Sequence, residues 1–228
     1  MAELLVYEIQ TKQSKNAAIR KTFGTTMKAT LKQYSLACMF VAKYADEHHH
    51  YNRRTLAEVL SDDIQREFLL PSGIAECVCR RVGYDFARLN PLVRKGSHRT
   101  TVPDYYGNKW MLYSKDTASV VMQAANPADE ERKYLLSLGA MKTFSQKKGD
   151  YIPQRLKVPF EMNPVPLTDD GSWHNREMRL LLDADGKSWS LLVAVGVTNR
   201  DLDEDEDDPT QNPDHQEPDD MPPDEFGE

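Results

Sequence analysis

Basic residues occur in short clusters, of the kind that can contact the phosphates of a nucleic acid. Aromatic residues lie near several of these clusters in the sequence, and their rings could stack on unpaired bases. The predicted phosphate contacts are Arg53, Arg54, Arg80, Arg81, Arg94, Lys95 and Arg99, and the predicted stacking residues are Tyr51, Tyr105 and Trp110. For any single cluster, the alternative interpretation is ordinary solubilising charge beside core aromatic residues.

Other residues with reactive side chains lack the spacing that metal binding or catalysis requires. The consecutive residues His48 to His50 cannot all face one ion on a helix, so a solvated helix end is the favoured interpretation. Cys77 and Cys79 lack a second pair and are interpreted as buried small residues. Residues 1–200 contain no phosphate-binding glycine loop, no nucleophile motif and no carboxylates spaced for two metal ions. We therefore expect no catalytic residue, no metal and no cofactor.

The charge of the chain is divided between a basic body and an acidic C-terminal segment. Residues 201–228 hold 14 of the 36 acidic residues and none of the 29 basic residues. Residues 1–200 therefore carry 22 acidic and 29 basic side chains, a net charge of +7 against −14 for the segment. This asymmetry favours a body that meets a polyanion, although +7 is also compatible with chance surface charge. The prolines among the acidic residues predict a disordered tail over residues 200–228.

The cysteine count and the N-terminus both indicate a cytoplasmic protein. Three cysteines without the spacing of a disulfide framework indicate reduced thiols. The N-terminus lacks the basic and apolar regions of a secretory signal. No run of about 18 apolar residues is present, so we expect no membrane-spanning helix.

Periodic apolar residues predict three consecutive helices in the first half of the chain. They recur every three or four positions from residue 19 to residue 45, which predicts one long helix. Thr55 is the predicted N-cap of a second helix, and a third begins at Pro71 or Ser72 and stops at Asn90. The three helices are expected to form one compact unit over residues 14–90.

The remainder of the chain, together with its first few residues, predicts strands. Short strands are expected within residues 4–12, 109–114, 118–122 and 155–162, and a short helical segment near residues 129–138. The turn signal Asp185-Gly186 predicts a hairpin, whose second strand begins at Trp189.

The first strand can pair only with strands beyond residue 100, because residues 14–90 are predicted to be helical and all the other predicted strands follow them. The predicted fold is therefore α+β, with a small β-barrel and an inserted three-helix unit. The predicted domains are the β-barrel over residues 1–13 and 91–199, the helical unit over residues 14–90, and the disordered acidic tail over residues 200–228.

Several runs of sequence carry a resemblance to a known family. They are a long helix with the small residues of "YSLACMFVAKYA", the helix entry from Asn52 to Leu56, the turn "REFLLPSGIAECVCRRV", the strand "RLKVPF" and the hairpin "REMRLLLDADGKSWSLLVAVGV". In this order they resemble the N-terminal half of TnpB-like transposon-encoded RNA-guided nucleases, which are related to type V CRISPR effectors. The resemblance spans about residues 3–198 and is weakest between residues 100 and 150.

The resemblance implies a wedge-like barrel and a recognition unit that grip a guide RNA and an RNA–DNA heteroduplex. In that family, catalysis belongs to a RuvC-like domain that begins after the barrel hairpin with an aspartate in a G-x-D-x-G strand. Here the corresponding point reads "VTNRDLDEDEDD". We therefore expect the RuvC-like nuclease domain to be absent and the chain not to be an enzyme.

The partner that the resemblance implies is structured, guide-type RNA. DNA and a separate RuvC-like nuclease chain are further candidate partners, and no membrane is expected. The acidic tail would modulate RNA binding or recruit a partner. The alternative hypothesis is a transposon remnant or protein-interaction factor whose acidic tail mimics DNA, without nucleic-acid binding of its own.

Overall fold

Three helices are followed by most of the strands, and one strand precedes them. The computed structural model describes residues 3–9, 17–90, 101–114, 116–122, 134–160 and 178–195. The elements in those ranges are β1 (Glu3–Glu8), α1 (Ala17–His48), α2 (Arg53–Glu67), α3 (Ser72–Leu89), β2 (Trp110–Tyr113), β3 (Ala118–Met122), β4 (Tyr134–Ser145), β5 (Asp150–Phe160), β6 (Met178–Leu182) and β7 (Trp189–Val195). The predicted α+β class is confirmed. The predicted acidic tail lies outside the described residues.

A four-stranded antiparallel sheet connects the beginning of the chain to its last described strand. Its strand order is β1-β7-β6-β2, and β1 pairs with β7 from Glu3 opposite Val195 to Glu8 opposite Ser190. The prediction that the first strand pairs with a late strand is therefore confirmed. The predicted β6–β7 hairpin is also present, and Gly186 adopts the positive φ of 65° that its turn requires.

A three-stranded antiparallel sheet, in the order β3-β4-β5, contains the two longest strands. The predicted helical segment near residues 129–138 is wrong where the structure describes it, because β4 begins at Tyr134. Leu136, Ser137 and Leu138 are all buried, so both faces of this central strand are covered. A strand covered on both faces has no polar–apolar alternation by which its sequence could be recognised.

The described strands form two open sheets, and no hydrogen-bonded ladder among them closes a barrel. The two sheets meet between the end of β2 and the start of β3. The Tyr113 hydroxyl donates to the Gly139 carbonyl oxygen at 2.8 Å, and the Gly139 N–H donates to the Thr117 carbonyl oxygen at 2.7 Å. This corner joins the sheets without making them one.

One cluster of buried side chains extends through the helices and both sheets. At its centre the Tyr34 hydroxyl of α1 donates to the Cys77 carbonyl oxygen of α3 at 3.3 Å and accepts from the Leu112 N–H of β2 at 3.3 Å. Cys77 and Cys79 are buried, as predicted for small core residues, and Cys38 is buried too; all three are free. The helices therefore pack on the sheets as part of a single core.

The helix ends mostly match their sequence signals. The long helix α1 ends at His48, and His49 adopts a positive φ of 57°, which stops it; His48 to His50 are exposed. The predicted N-cap Thr55 is wrong, because Asn52 caps α2 by accepting the Arg54 N–H at 2.8 Å. None of the described helices is both long enough and apolar enough to cross a lipid bilayer.

Candidate nucleic-acid interface

Arg81 lies in the interior between α3 and β2, and only 6% of its surface is exposed. Its guanidinium donates to the Trp110 carbonyl oxygen at 2.9 Å, to Asn108 Oδ1 at 3.1 Å and to Asp85 Oδ2 at 3.4 Å. A buried charge is tolerated when it is paired and hydrogen-bonded, and Arg81 is both. These bonds fasten α3 to β2. The prediction that Arg81 contacts phosphate is therefore corrected, because its donors face inward.

Tyr105 is also an interior residue, with 2% of its surface exposed. Its hydroxyl donates to Asp85 Oδ2 at 3.1 Å, and burial raises the pKa of this hydroxyl well above its usual value. Its ring cannot stack on a base from this position, so that prediction is corrected too. The next residue, Tyr106, is 89% exposed and is the tyrosine of this segment that faces solvent.

Trp110, the third predicted residue of this region, is half-buried and lies beside two arginines. The guanidinium carbon of Arg81 is 3.5 Å from the centre of the Trp110 ring, and that of Arg179 is 5.0 Å from it. The strand register explains the second contact. Trp110 lies directly opposite Leu181 in the sheet. Arg179 is two residues before Leu181, so its side chain is on the same face of the sheet as those of Leu181 and Trp110.

A cleft of about 310 Å³ opens beside Trp110, between the C-terminal half of α3 and this face of the sheet. We call it the Trp110 cleft. Its charged and aromatic lining residues are Arg81, Arg88, Arg179, Asp85, Asp104 and Trp110. The Arg88 side chain is 76% exposed, and its Nη2 lies 3.5 Å from Asp85 Oδ1. The cleft therefore holds both cations and carboxylates within reach of solvent.

A second basic group lies where the start of α2 packs on another face of α3. Arg53 Nη1 donates to the Tyr84 hydroxyl at 2.7 Å. The close approach depends on Gly83, where a Cβ would lie 3.2 Å from the Arg53 Cβ. Arg80 is one helical turn before Tyr84 and is half-buried, and Arg54 is exposed. Arg53, Arg54 and Arg80 therefore belong to one edge of the helical unit.

The remaining predicted residues divide into a packed tyrosine and three basic residues that cannot be placed. Tyr51 is half-buried, with its ring centre 4.9 Å from that of Phe86. Arg94, Lys95 and Arg99 lie outside the described residues.

Arg94, Lys95 and Arg99 belong to residues 91–100, and the described residues on both sides of this range lie next to the Trp110 cleft. Asn90 Nδ2 donates to the Thr101 carbonyl oxygen at 2.9 Å, and Leu89 and Pro103 line the cleft.

The β4–β5 hairpin carries exposed residues that the predicted contact set omits. Phe144 pairs with Tyr151 across the hairpin, their ring centres are 5.5 Å apart, and they are 56% and 46% exposed. Lys147 and Lys148 occupy the turn between them and are exposed. Residues 134–160 contain five basic side chains and one acidic side chain. The sequence signal was the run "TFSQKKGDY", in which two aromatic residues flank a lysine pair and a glycine turn.

The structure thus separates the predicted residues into three groups. Tyr105 and Trp110 both contact Arg81, Arg53 and Arg80 flank Tyr84 on another face of α3, and Tyr51 packs on Phe86. Reasoning from sequence clusters missed Arg88 and Arg179. In the part of the chain that the structure describes, no three histidine, cysteine or acidic side chains are grouped so that they could hold a metal ion.

No protein-family model matches the chain, and no curated protein matches it at a significant level.

Proposed function

We propose that the chain is a nuclease-lacking, TnpB-like module that binds structured, guide-type RNA, with an RNA–DNA heteroduplex as a further ligand. The observation that carries the proposal is the division of charge. All 29 basic residues lie in the first 200 residues, which have a net charge of +7. A phosphate polymer is the partner that such a body attracts, through contacts that release bound counterions.

The order of the elements supports the resemblance on which the proposal rests. β1 pairs with β7, and the three helices enter the chain between β1 and the other strands. An inserted helical unit on a β-framework is what the resemblance implies. The barrel is part of the proposal, in which the two sheets, joined at the Tyr113–Gly139 corner, together bind RNA.

The proposed phosphate contacts are the basic residues that reach the surface. Arg53, Arg54 and Arg80 form one group at the edge of the helical unit, and Lys147 and Lys148 form another at the tip of the β4–β5 hairpin. Arg94, Lys95 and Arg99 remain predicted contacts. Arg81 and Tyr105 instead hold the framework on which the contacts lie.

The acidic tail, in this proposal, competes with RNA for the basic surface or recruits a basic partner in the cytoplasm. Its 14 acidic residues are tethered to the body, so their effective concentration near the basic surface is high. Deleting residues 201–228 should therefore tighten RNA binding at low salt. Unchanged affinity after this deletion would remove the competition from the proposal.

The first test is whether the purified protein carries RNA. The ratio of absorbance at 260 and 280 nm measures bound nucleic acid, and sequencing identifies it. The affinity of the stripped protein for that RNA is then measured against salt concentration. Each phosphate contact to a single strand should contribute about 0.7 to the slope of log K against log salt.

Matched arginine variants locate the contact surface. Arg54→Gln and Arg80→Gln should each weaken RNA binding and reduce the salt slope. Arg66→Gln is the control, because Arg66 is exposed on α2 and already pairs with Asp63 and Glu67. Equal affinity for all three variants would exclude this edge of the helical unit as a contact surface. No RNA binding by the wild-type chain at low salt would exclude the proposed function.

The alternative is a transposon remnant or protein-interaction factor whose acidic tail mimics DNA. The observation that favours it is the density of carboxylates, 14 in 28 residues, which a basic partner could bind as it binds phosphates. This function predicts a protein without bound nucleic acid and a basic partner that is lost when residues 201–228 are deleted. A separate RuvC-like nuclease chain, in contrast, should remain bound after that deletion.

A further inference from the structure

We propose that the Trp110 cleft binds one nucleotide unit of a nucleic-acid strand, taking up its phosphate and its base together. The inference rests on the proposed function and deepens it, because it names a subsite for the RNA. The inference depends on the side chains that line the cleft, and these could not be identified from the clusters of basic residues in the sequence.

Arg88 and Arg179 provide the cations that face the opening of the cleft. Both side chains are exposed and line the cleft, Arg88 from α3 and Arg179 from β6. A guanidinium presents a planar set of N–H donors that matches the oxygen atoms of a phosphate. Two such groups at one opening suit a phosphate ester.

The interior of the cleft is held in place before any ligand arrives. The Trp110 ring lies 3.5 Å from the Arg81 guanidinium, which is itself fixed by three hydrogen bonds to protein atoms. A cation that is buried and fully engaged in this way acts as a rigid support for the indole. Such a preformed aromatic wall lowers the conformational entropy that binding would otherwise cost.

One carboxylate of the cleft distinguishes a nucleotide from a simple anion. Asp104 would repel a bare phosphate ion, yet it can accept a hydrogen bond from a base N–H or a ribose hydroxyl. The Asp85 carboxylate is already engaged by Arg81, Tyr105 and Arg88. Leu181 and Leu192 add an apolar floor on which a planar base can lie. A ligand with an anionic group, N–H or O–H donors and an apolar ring face matches all three parts of this lining.

The size of the cleft limits the ligand to a single unit. A volume of about 310 Å³ is at the lower end of the range of small-molecule sites. The cleft is too small for a duplex, and its size therefore indicates an unpaired nucleotide that points away from the rest of its strand.

The experiment titrates the full chain, freed of bound nucleic acid, with each of the four nucleoside monophosphates, with the corresponding nucleosides and with inorganic phosphate, by calorimetry. At least one monophosphate should bind at least about tenfold more tightly than its nucleoside and than phosphate alone. Arg88→Ala and Arg179→Ala should each weaken that binding about tenfold, and Arg66→Ala should leave it unchanged. Unaltered melting temperatures will show that these variants fold.

The outcomes separate this inference from the proposed function. Monophosphates that bind no better than inorganic phosphate, or with wild-type affinity to the Arg88 and Arg179 variants, overturn the nucleotide site. RNA that binds these variants with full affinity also overturns it and leaves the proposed function standing. Monophosphate binding by a chain that binds no RNA supports the site and rejects the proposed function.

Discussion

Replacing Arg81 by alanine tests whether this residue fastens the framework rather than contacting phosphate. The substitution removes three hydrogen bonds at once, and two of them hold the segment from Asn108 to Trp110 against α3. It also removes the cation that lies against the Trp110 ring. Its carboxylate partner, Asp85, stays in place with a side chain that is only 15% exposed.

The size of the effect follows from the charge that is left behind. Breaking a buried ion pair by removing one partner costs about 3–5 kcal/mol, because the other charge loses its compensation. Arg88 also pairs with Asp85, but at 3.5 Å and from a side chain that is 76% exposed, so it replaces little of the lost interaction. For a domain of this size, the melting temperature should fall by about 6–20 °C.

Thermal unfolding followed by circular dichroism measures this effect. Arg88→Ala is the control on the same helix and against the same carboxylate, and it should cost less than about 1 kcal/mol. Arg81→Lys should fall between the two, because it keeps the charge but loses the planar set of donors. Adding Asp85→Ala to Arg81→Ala should cost less than the sum of the two single changes.

A melting temperature for Arg81→Ala equal to that of Arg88→Ala would refute this reasoning. The same result together with weaker RNA binding would restore Arg81 as a surface contact. A large loss of stability that is simply additive with that of Asp85→Ala would show that the two residues act independently.

Three further predictions test the packing and the electrostatics. Gly83→Ala should destabilise the protein by about 1 kcal/mol or more, since its Cβ would lie 3.2 Å from a backbone carbonyl oxygen ahead of α2. Gly24→Ala should stabilise the protein by about 1 kcal/mol, because no described atom lies within 4 Å of the added Cβ. Chemical denaturation measures both changes. The backbone N–H groups of Ser188 and Lys187 lower the pKa of Asp185 to about 2. The free energy of unfolding should therefore decrease as the pH falls from about 4 towards 2, and Asp185→Ala should make this decrease smaller. Identical pH profiles of the free energy of unfolding for the two proteins would contradict the prediction. Burial raises the pKa of each of the three thiols, and the least affected, Cys77, is raised to about 11. The folded protein should therefore react with a thiol reagent far more slowly than the unfolded protein. Fast labelling of the folded protein would be inconsistent with this burial.

The elements that the sequence predicted well are those whose signals are local. The β6–β7 hairpin has a turn dipeptide between two apolar runs, and α1 and α3 have apolar residues at helical spacing. The pairing of β1 with a strand beyond residue 100 followed by elimination, because an isolated strand leaves its backbone groups without partners. These predictions needed no knowledge of how the elements pack.

The features that the sequence predicted poorly depend on contacts between distant segments. The run "YLLSLGAM" at the start of β4 is apolar on both faces, so its periodicity cannot distinguish a buried strand from a helix. Its neighbours β3 and β5 decide the matter through hydrogen bonds that only the fold brings together. Closure of a barrel depends on such ladders alone, and the described strands give two open sheets.

The arginine pair on α3 shows why a cluster of charges does not reveal which of its members faces outward. Consecutive residues on a helix point about 100° apart, so Arg80 and Arg81 reach different surroundings. The apolar residues Val78 and Val82 flank the pair at the spacing of the buried face, which turns Arg81 inward, and Asp85 follows four residues later on that same face. An arginine and an aspartate at this spacing within an apolar stripe indicate a buried ion pair, because neither charge could be buried alone. Read in this way, the "RR" of α3 supplies one arginine for the inner wall of the Trp110 cleft and leaves Arg80 available for the surface beside Tyr84.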